Sequence, residues 1–576
     1  MNKILKNIRK EYSSSKLKTT DNINIVVGNV WSRLNGDLDR KIINKIDDKL
    51  SYFVQGAWFS KLYKDGIWDG YIRLFNKRTH IFPTGFLGDT EKILKNSNKK
   101  FSVVDKREKI KHNSNVFEKV FTSNTNIIPR SYQKKAIISI AKNPCGVITI
   151  PTGTGKTIII NYSIKLIDIS SNKKRKHLII THGTSLLSQL KEEIEKFQKE
   201  EVGYIAEGIW NEKRITVASV DLLFNFLQNP YRLRKTKIKK TKREINDKVK
   251  SKKELLEKTE NFLLSIDALY CDEAHHSPAK TFKTVINKIS NASFRLGFTA
   301  TYNRKGENEI NLKSVTGKIL YKKSISWMIN KGYLAKPTII LIEYKGKDIK
   351  EQDHWSKDYS AGISANESRN IMLTKIVEKC INKNLSSVVF VVKKEHGDNI
   401  LNLLNNKYND KIEYLTGKDP QDAVRKPVMK SFVKGDIRSI LCTRIFNEGI
   451  DFPQANCGIR CGAQEYSGGI IQQLGRILRK VKSNLSKDID RKEIQRVFWF
   501  DILDAHSRIF AKHTLNRIRT YESEKEFEVI YSSSIDEIER IINERIKETK
   551  IIKKKTSKKD NKNSSEKDNK NSSKKR

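Results

Sequence analysis

The chain has 576 residues and carries 113 Lys and Arg against 66 Asp and Glu, a formal net charge of +47. This length exceeds what one hydrophobic core usually serves, which argues against a single small domain and predicts several. A compact chain with this charge repels itself unless a polyanion neutralises it, so the composition favours nucleic acid over an anionic membrane as the partner.

Neither the cysteines nor the hydropathy pattern points to a zinc-binding, secreted or membrane protein. The 6 cysteines are scattered without the paired spacing of a zinc ribbon, and we expect buried thiols in a reducing compartment. Residues 1–12 lack the apolar core of a signal peptide, and no run approaches the ~20 apolar residues that span a bilayer. The sequence therefore predicts a cytoplasmic protein, in a bacterial or infected host cell, without a membrane partner.

The N-terminal part of the chain is rich in aromatic residues that alternate with glycine turns. Such punctuation predicts short strands and tight turns. We expect a basic N-terminal extension at 1–20 and a small α/β domain that binds nucleic acid at 21–108. Trp68, Arg73 and Phe86 are candidate contacts, because aromatic rings stack on bases. A place in the domain core is the alternative, favoured for Phe86 and equally open for Trp68.

From residue 128 onward, short apolar runs alternate with helical patterns, and the runs have the composition of buried parallel strands. This alternation predicts an α/β fold with two consecutive parallel-sheet lobes, at 109–335 and 336–535. The predicted strands lie in CGVITI (145–150), HLIITH (177–182), RITVAS (214–219), ALYCDEA (268–274), SVVFVV (387–392), IEYLTG (412–417), RSILCT (438–443) and RVFWFDIL (496–503).

Two basic segments interrupt this alternation. Residues 232–253 are dense in Lys and Arg and are interpreted as an exposed insertion in the first lobe, helical or hairpin-like. Direct DNA contact and a solvated charged surface are equally open interpretations of it. A basic, low-complexity tail is predicted at 536–576. From about residue 552 it repeats KDNKNSS, at 559–565 and 567–573, a composition that cannot bury a core and predicts disorder. A flexible polycation adds phosphate contacts without sequence preference.

The segment IPTGTGKT (150–157) follows a predicted buried strand and precedes a helical pattern, the context that a phosphate-binding loop requires. Its glycines let backbone N–H groups surround the β- and γ-phosphates at the N-terminus of a helix. Lys156 would neutralise phosphate charge, and the Thr157 hydroxyl would bind Mg²⁺. ATP with Mg²⁺ is therefore the predicted cofactor, and the loop residues expected to bind it are Thr152, Gly153, Thr154, Gly155, Lys156 and Thr157.

A second nucleotide motif, CDEAHH (271–276), ends another apolar strand. Asp272 would hold Mg²⁺ through water, and Glu273 would orient or deprotonate the attacking water. A pair at the carboxyl end of a buried parallel strand points into the crevice where ligands bind. Together with Lys156, this pair predicts nucleotide hydrolysis.

DEAH (272–275), GFTAT (297–301) and QQLGRILR (472–479) resemble, in order and spacing, the motifs of superfamily 2 helicases. The resemblance implies two RecA-like lobes. It also implies that Thr299, Ala300 and Thr301 couple the nucleotide state to lobe closure. In that family the last motif opens with a glutamine and supplies arginines to the γ-phosphate, and an arginine finger is typically worth 10³–10⁵ in rate. The matching residues are Gln472, Arg476 and Arg479.

Further family motifs imply contacts with the base and with a nucleic-acid strand. PRSYQ (129–133) resembles the adenine-recognising segment, in which Gln133 would read the base edge and Arg130 would stack on the ring. THGTSLLSQL (181–190), TVASVDLL (216–223) and CTRIFNEGIDFP (442–453) resemble strand-binding and nucleotide-sensing motifs. The residues implied by them are Thr181, Gln189, Thr216, Ser219 and Thr443 for the sugar-phosphate backbone, and Gly449 and Asp451 for the nucleotide cleft.

TATYNR (299–304), ESRN (367–370) and NEGID (447–451) resemble the XPB-like branch, and 66–93 and 499–527 resemble UvsW-like phage recombination helicases. This implies a DNA helicase or translocase that unwinds or branch-migrates branched DNA in recombination, repair or replication restart. Single-stranded and branched DNA are the expected partners of a monomeric motor. The alternatives are an RNA helicase or transcript-release factor, the motor subunit of a restriction or defence complex, and a non-hydrolysing scaffold. The intact nucleotide motifs argue against the last.

Overall fold

The computed structural model describes residues 23–108, 112–123, 126–183, 185–228, 242–276, 280–300, 307–349, 355–408, 410–417, 419–443, 452, 454–465, 467–478 and 496–548. The chain divides into two compact units, residues 1–148 with 157–321 and residues 149–156 with 322–576. Predicted features outside the described residues are the basic N-terminal extension at 1–20, Thr301, Gly449, Asp451, Arg479, the tail from residue 549, and residues 232–241 of the basic insertion.

A small α/β domain opens the first unit. Its four-stranded sheet has the order β5-β2-β1-β6, with β1 antiparallel to β2 and parallel to β6, and β3 pairs with β4 as a separate hairpin. The strands are β1 Ile23–Val27, β2 Trp31–Asn35, β3 Ser51–Phe53, β4 Tyr71–Arg73, β5 Ile81–Pro83 and β6 Phe101–Asp105. The helices are Arg40–Lys49, Lys61–Lys64 and Leu87–Asn96, with 3₁₀ turns at Ala57–Phe59 and Thr84–Phe86.

The core of this domain lies between the sheet and two of its helices. Asp39 starts the Arg40–Lys49 helix by accepting a hydrogen bond from the Ile42 N–H at 2.8 Å, as side-chain caps do. The helix then turns Ile42 and Ile46 towards the sheet, where both are buried. Phe86 is buried in the same core, so the core interpretation of this residue is confirmed.

The small domain packs against the first lobe within one compact unit. The contact includes the Glu307–Thr316 helix, whose Ile310 joins the apolar core of the small domain, and a hydrogen bond from the Asn29 side chain to the Asn291 carbonyl at 3.1 Å. Lys313 on this helix forms an ion pair with Asp89 at 2.5 Å. A shared core and a partly buried ion pair attach the two domains to each other.

The first lobe contains an eight-stranded sheet of order β10-β9-β11-β8-β12-β13-β7-β14. Its strands are β7 Cys145–Thr149, β8 His177–Thr181, β9 Gly203–Ala206, β10 Ile209–Asn211, β11 Ile215–Ser219, β12 Ala268–Cys271, β13 Phe294–Thr299 and β14 Ile319–Lys322. Its helices are Ser114–Thr122, Ser131–Lys142, Lys156–Ser171, Ser185–Gln198, Val220–Phe226, Lys242–Leu264, Lys280–Lys288 and Glu307–Thr316. The described part of the basic insertion is therefore helical, one of the two predicted forms.

The second unit holds a seven-stranded sheet of order β17-β18-β16-β19-β20-β15-β21, in which the neighbouring strands are parallel. Its strands are β15 Lys336–Tyr344, β16 Ser387–Phe390, β17 Ile412–Leu415, β18 Ser439–Cys442, β19 Cys457–Arg460, β20 Arg496–Asp504 and β21 Glu528–Ser532. Its helices are Ile325–Asn330, Trp355–Tyr359, Glu367–Asn382, Lys394–Tyr408, Lys426–Lys434, Ser467–Ile477, Arg508–Glu522 and 535–548, with π-helical turns at Ser360–Ser364 and Gln421–Arg425.

All eight apolar runs predicted as strands form strands, and the α/β class with two parallel-sheet lobes after a small domain is confirmed. The low-complexity tail does not begin at 536 as predicted, because residues 535–548 form a helix whose Ile538, Ile541 and Ile542 are buried in the core of the second lobe. The other predicted domain boundaries stay predictions. The helices in the described ranges are each too short or too polar to cross a membrane.

Candidate nucleotide and nucleic-acid sites

The predicted phosphate loop follows β7 and leads directly into the Lys156–Ser171 helix. Gly153 and Gly155 have φ of +78° and +87°, a region that residues with a Cβ rarely adopt, which explains both glycines. The Thr154 hydroxyl donates to the Pro151 carbonyl at 2.6 Å and closes the loop on itself. The backbone at the start of a helix presents unpaired N–H groups and a partial positive charge. This geometry fits a bound phosphate chain.

The other loop residues take part in the same turn. Thr152 is buried, and Lys156 is the first residue of the helix. The Thr157 carbonyl accepts a hydrogen bond from the Asn161 side chain at 3.1 Å, one turn along that helix. The predicted segment therefore forms a loop that leads into a helix, as expected from the sequence. Its contacts with ATP and Mg²⁺ stay predictions.

The Asp272–Glu273 pair lies immediately after β12, in the sheet that also contains β7. The Asp272 N–H donates to the Ile180 carbonyl on β8 at 2.9 Å, which places the pair at the carboxyl ends of neighbouring parallel strands. Both residues are more than nine-tenths buried. Carboxylate oxygens are the ligands that Mg²⁺ prefers, so the donor set fits this metal.

Glu273 has a left-handed backbone, with φ of +45°. This region is uncommon for residues other than glycine, costs of order 1–3 kcal/mol and is found preferentially at functional sites. The Asp272 carboxylate accepts a hydrogen bond from the Glu273 N–H at 3.0 Å and stabilises the turn. The sequence pattern gave no indication of this conformation, which orients the catalytic candidate.

His275 connects the second nucleotide motif to the predicted coupling motif. Its Nδ1 lies 3.1 Å from the Thr299 hydroxyl and 3.4 Å from the Glu273 carboxylate. Thr299 ends β13, which runs parallel to β12 with Gly297 opposite Cys271, and Ala300 follows it. No role of His275 is predicted from the sequence, although its place in the DEAH segment was an available signal.

Gln133 and Arg130, the predicted adenine contacts, lie at the start of the Ser131–Lys142 helix. The Gln133 side-chain oxygen accepts a hydrogen bond from the Arg130 N–H at 2.8 Å. Gln133 is buried, while Arg130 is exposed. The cap fixes the orientation of the carboxamide, and the Arg130 guanidinium lies 3.5 Å from the Tyr132 hydroxyl. The contacts of both residues with adenine stay predictions.

The predicted strand-contact residues of the first lobe fall into different environments. Thr181 and Ser219 lie side by side, at the carboxyl ends of the parallel strands β8 and β11. The Thr216 hydroxyl is buried and donates to the Lys213 carbonyl at 2.8 Å. Gln189 is exposed on a helix and donates to Glu193 at 2.8 Å. The fold thus brings Thr181 and Ser219 together, but it does not bring Thr216 or Gln189 to the same place.

In the second lobe, Gln472 and Arg476 lie one turn apart on the Ser467–Ile477 helix, and both are buried. Thr443 follows the last residue of β18 and is half-buried. The helix explains why the glutamine and the arginine are four residues apart, because this spacing puts two side chains on one face.

Three sequence families match separate parts of the chain. Residues 126–304 match the family described as type III restriction enzyme, res subunit, and residues 369–481 match the helicase conserved C-terminal domain. Residues 10–104 match the N-terminal domain of DNA helicase UvsW. With the phosphate loop and the buried carboxylates, these matches define an ATP-hydrolysing enzyme with two RecA-like lobes. The three matched families, in their order along the chain, are those of a superfamily 2 helicase.

Individual relatives agree with this family. The ATP-dependent DNA helicase uvsW of Enterobacteria phage T4 is 21% identical over 531 residues, covering 86% of this chain and 96% of the relative. The DNA 3'-5' translocase XPB2 of Sulfurisphaera tokodaii is 25% identical over 386 residues, covering 61% of this chain and 78% of the relative. A fragment of a putative HsdR subunit of a type I restriction enzyme from Vibrio vulnificus shares the fold, with a TM-score of 0.50 and 16% identity over 73% of this chain and 72% of that one.

Proposed function

We propose that this chain is an ATP-driven DNA helicase or translocase that unwinds or branch-migrates branched DNA in recombination, repair or replication restart. The observation that carries the proposal is the match of residues 10–104 to the N-terminal domain of DNA helicase UvsW, joined to a lobe with intact nucleotide motifs. The net charge of +47 supports a polyanion such as DNA as the partner along which the motor moves. We expect the motor to act as a monomer.

ATP hydrolysis in this proposal uses groups from both nucleotide motifs. Lys156 neutralises phosphate charge, and Thr157 and Asp272 are the residues that would hold Mg²⁺, which supplies charge neutralisation at the phosphates when bound. Glu273 orients the attacking water and accepts its proton. Arg476 stabilises the charge that develops on the γ-phosphate.

The coupling motif would transmit the effect of ATP hydrolysis to the residues that contact DNA. The hydrogen bond between His275 and Thr299, at 3.1 Å, gives Glu273 and the coupling motif a shared side-chain contact. A change at the γ-phosphate can thereby shift Thr299 and the segment that follows it. Thr181, Ser219 and Thr443 are the proposed contacts with phosphates of one DNA strand, because each lies at or beside the carboxyl end of a parallel strand.

Steady-state ATP hydrolysis tests the proposed substrate. The rate of the full chain should rise most with a branched DNA junction, less with single-stranded DNA and least with single-stranded RNA, each compared with no nucleic acid. Lys156→Ala is the control and should abolish hydrolysis in all four conditions, because it removes the charge that binds the phosphates. Stimulation by RNA alone would keep the motor but contradict the DNA assignment and favour the RNA alternative.

The small domain offers an aromatic surface for DNA bases. Trp58, Phe59 and Tyr71 are 48%, 76% and 42% exposed. Phe53 joins them, its ring centroid lying 6.0 Å from that of Trp58 and 5.4 Å from that of Tyr71. Aromatic rings held in this way can stack on unpaired bases without sequence preference.

Arg73 and Trp68, the contacts suggested by the sequence, are already engaged within the domain. Arg73 forms ion pairs with Asp69 and with Asp47. The Trp68 indole N–H donates to the Tyr71 carbonyl at 2.9 Å. We therefore propose that the exposed aromatic residues, and not Arg73 and Trp68, contact the DNA bases.

Replacing Trp58 and Phe59 together with Ala should weaken binding of single-stranded DNA by about 10- to 100-fold, since stacking is worth about 1–3 kcal/mol per base. Hydrolysis without nucleic acid should not change. Fluorescence anisotropy with a labelled oligonucleotide measures the affinity, and Tyr531→Ala, an exposed aromatic residue of the second lobe, is the matched control. Equal affinities of the double variant and the control would contradict the aromatic contact.

A further inference from the structure

The loop at 461–465 joins β19 to the Ser467–Ile477 helix, which carries Gln472 and Arg476. This loop is held by three buried arginines that come from different elements of the second lobe. Their hydrogen bonds run from Arg369 Nη1 to the Cys461 carbonyl at 2.9 Å, from Arg517 Nη1 to the Ala463 carbonyl at 3.0 Å, and from Arg460 Nη2 to the Gln464 carbonyl at 2.8 Å.

Two of these arginines are neutralised by carboxylates of β20. Arg369 forms a bidentate pair with Asp504, at 2.7 and 2.9 Å. Arg517 donates to Asp501 at 3.0 Å. Burial alone would lower the pKa of each guanidinium, but the carboxylates outweigh burial and the pKa is raised. In each pair, the carboxylate neutralises the charge of its arginine within the lobe.

Arg460 has a different partner. Its Nη1 donates to the side-chain oxygen of Gln473 at 2.7 Å, and within the described ranges no carboxylate lies within ion-pair distance of it. Burial lowers the pKa of this guanidinium. A buried cation bonded to a neutral amide is costly, so stability alone does not explain this arginine.

Gln473 links Arg460 to the predicted arginine finger. Gln473 is buried, adjacent to Gln472 and three residues before Arg476, on the same helix. A helix turns as a rigid body, so a bond that fixes Gln473 also fixes the rotation of Gln472 and Arg476 about the helix axis. Arg460 holds the loop carbonyl before this helix as well, and thus constrains its start and its first turns.

We propose that Arg460 is a positioning residue for ATP hydrolysis, which acts through Gln473 to set the orientation of the helix that presents Gln472 and Arg476 to the γ-phosphate. The inference rests on the proposed function, in which Arg476 acts on ATP. Misplacement of a reacting group by about 1 Å can cost about 10²-fold in rate, so the effect should appear in kcat.

Arg460→Met, Gln473→Leu and the double variant test the link in the full chain. Each should lower kcat for DNA-stimulated ATP hydrolysis by about 10- to 100-fold and leave KM for ATP within about threefold of the parent value. The double variant should lose no more than Arg460→Met alone, because that single variant already removes the bond to Gln473. The double variant also leaves no buried charge unpaired, and so remains informative if Gln473→Leu, which leaves the Arg460 guanidinium without this acceptor, fails to fold.

Recovery of the parent kcat in the double variant would overturn the proposal, since the bond would then serve only to satisfy a buried charge. A rise in KM without loss of kcat would overturn it too. Gln473→Glu keeps an acceptor for Arg460 and should restore most of the rate that Gln473→Leu loses. Arg519→Met, an exposed arginine of the same lobe, controls for loss of positive charge.

Arg476→Ala separates failure of this inference from failure of the proposed function. If Arg476→Ala keeps the parent kcat, the arginine does not act on ATP and the proposed role of the helix is wrong. If Arg476→Ala loses kcat while the Arg460 and Gln473 variants do not, only the positioning role is wrong.

Discussion

Replacement of Glu273 with Gln should lower kcat for ATP hydrolysis by about 10²- to 10⁴-fold, the range expected when a general base is removed. The change keeps the size and hydrogen-bonding shape of the side chain but removes the carboxylate that accepts a proton. ATP binding should stay within about threefold, because the phosphate loop and Asp272 are untouched. Single-turnover hydrolysis and the binding of a fluorescent ATP analogue measure the two quantities separately.

Glu207→Gln is the matched control for this variant. Glu207 also has a left-handed backbone, with φ of +53°, but it is exposed in the turn between β9 and β10. The same substitution on the same kind of backbone should therefore leave hydrolysis unchanged. A Glu273→Gln variant that hydrolyses ATP within about fivefold of the parent rate would show that another group activates the water.

Asp504→Asn should destabilise the second lobe by about 3–5 kcal/mol, because it leaves the buried Arg369 guanidinium without its counter-charge. Both side chains are fully buried and form a bidentate pair. For a lobe of this size, that loss corresponds to a fall in Tm of about 10 °C. Thermal unfolding followed by calorimetry measures the change.

Glu544→Gln provides the comparison for this loss. Glu544 forms an ion pair with Arg540 in which both partners are exposed, and such pairs contribute little, so its Tm should shift by about 1 °C or less. The double variant Arg369→Met with Asp504→Leu replaces both charges by apolar side chains and should recover more than half of the lost stability. An Asp504→Asn variant that melts with the parent chain would contradict the assigned cost.

Much of the nucleotide site was predictable because its determinants are local in sequence. Gly153 and Gly155 are required by two backbone angles, and Lys156 begins the helix that follows them. The strands of both lobes were predictable for a similar reason, since a strand buried on both faces needs a continuous apolar run. These features depend on neighbours along the chain.

The contacts that connect distant segments were not predictable in this way. Arg460 is 13 residues before Gln473 and hydrogen-bonds to it. Neither residue type indicates this pairing. His275 and Thr299 meet because β12 and β13 are adjacent in the sheet. Register and sheet order decide such pairs, and a single sequence does not specify them.

By itself the sequence determined the α/β class, the strands of two lobes, the phosphate loop and the Asp-Glu pair, because short-range geometry and apolar periodicity encode these. Only the tertiary structure decided which aromatic and charged side chains are exposed. Phe86 lies in the core while Phe59 faces solvent, and Arg369 and Arg517 are buried where sequence suggests surface residues. The reason is physical, because burial depends on what the fold places opposite a side chain. Asp501 and Asp504 of β20 neutralise two buried arginines and so offset the free-energy cost of burying them.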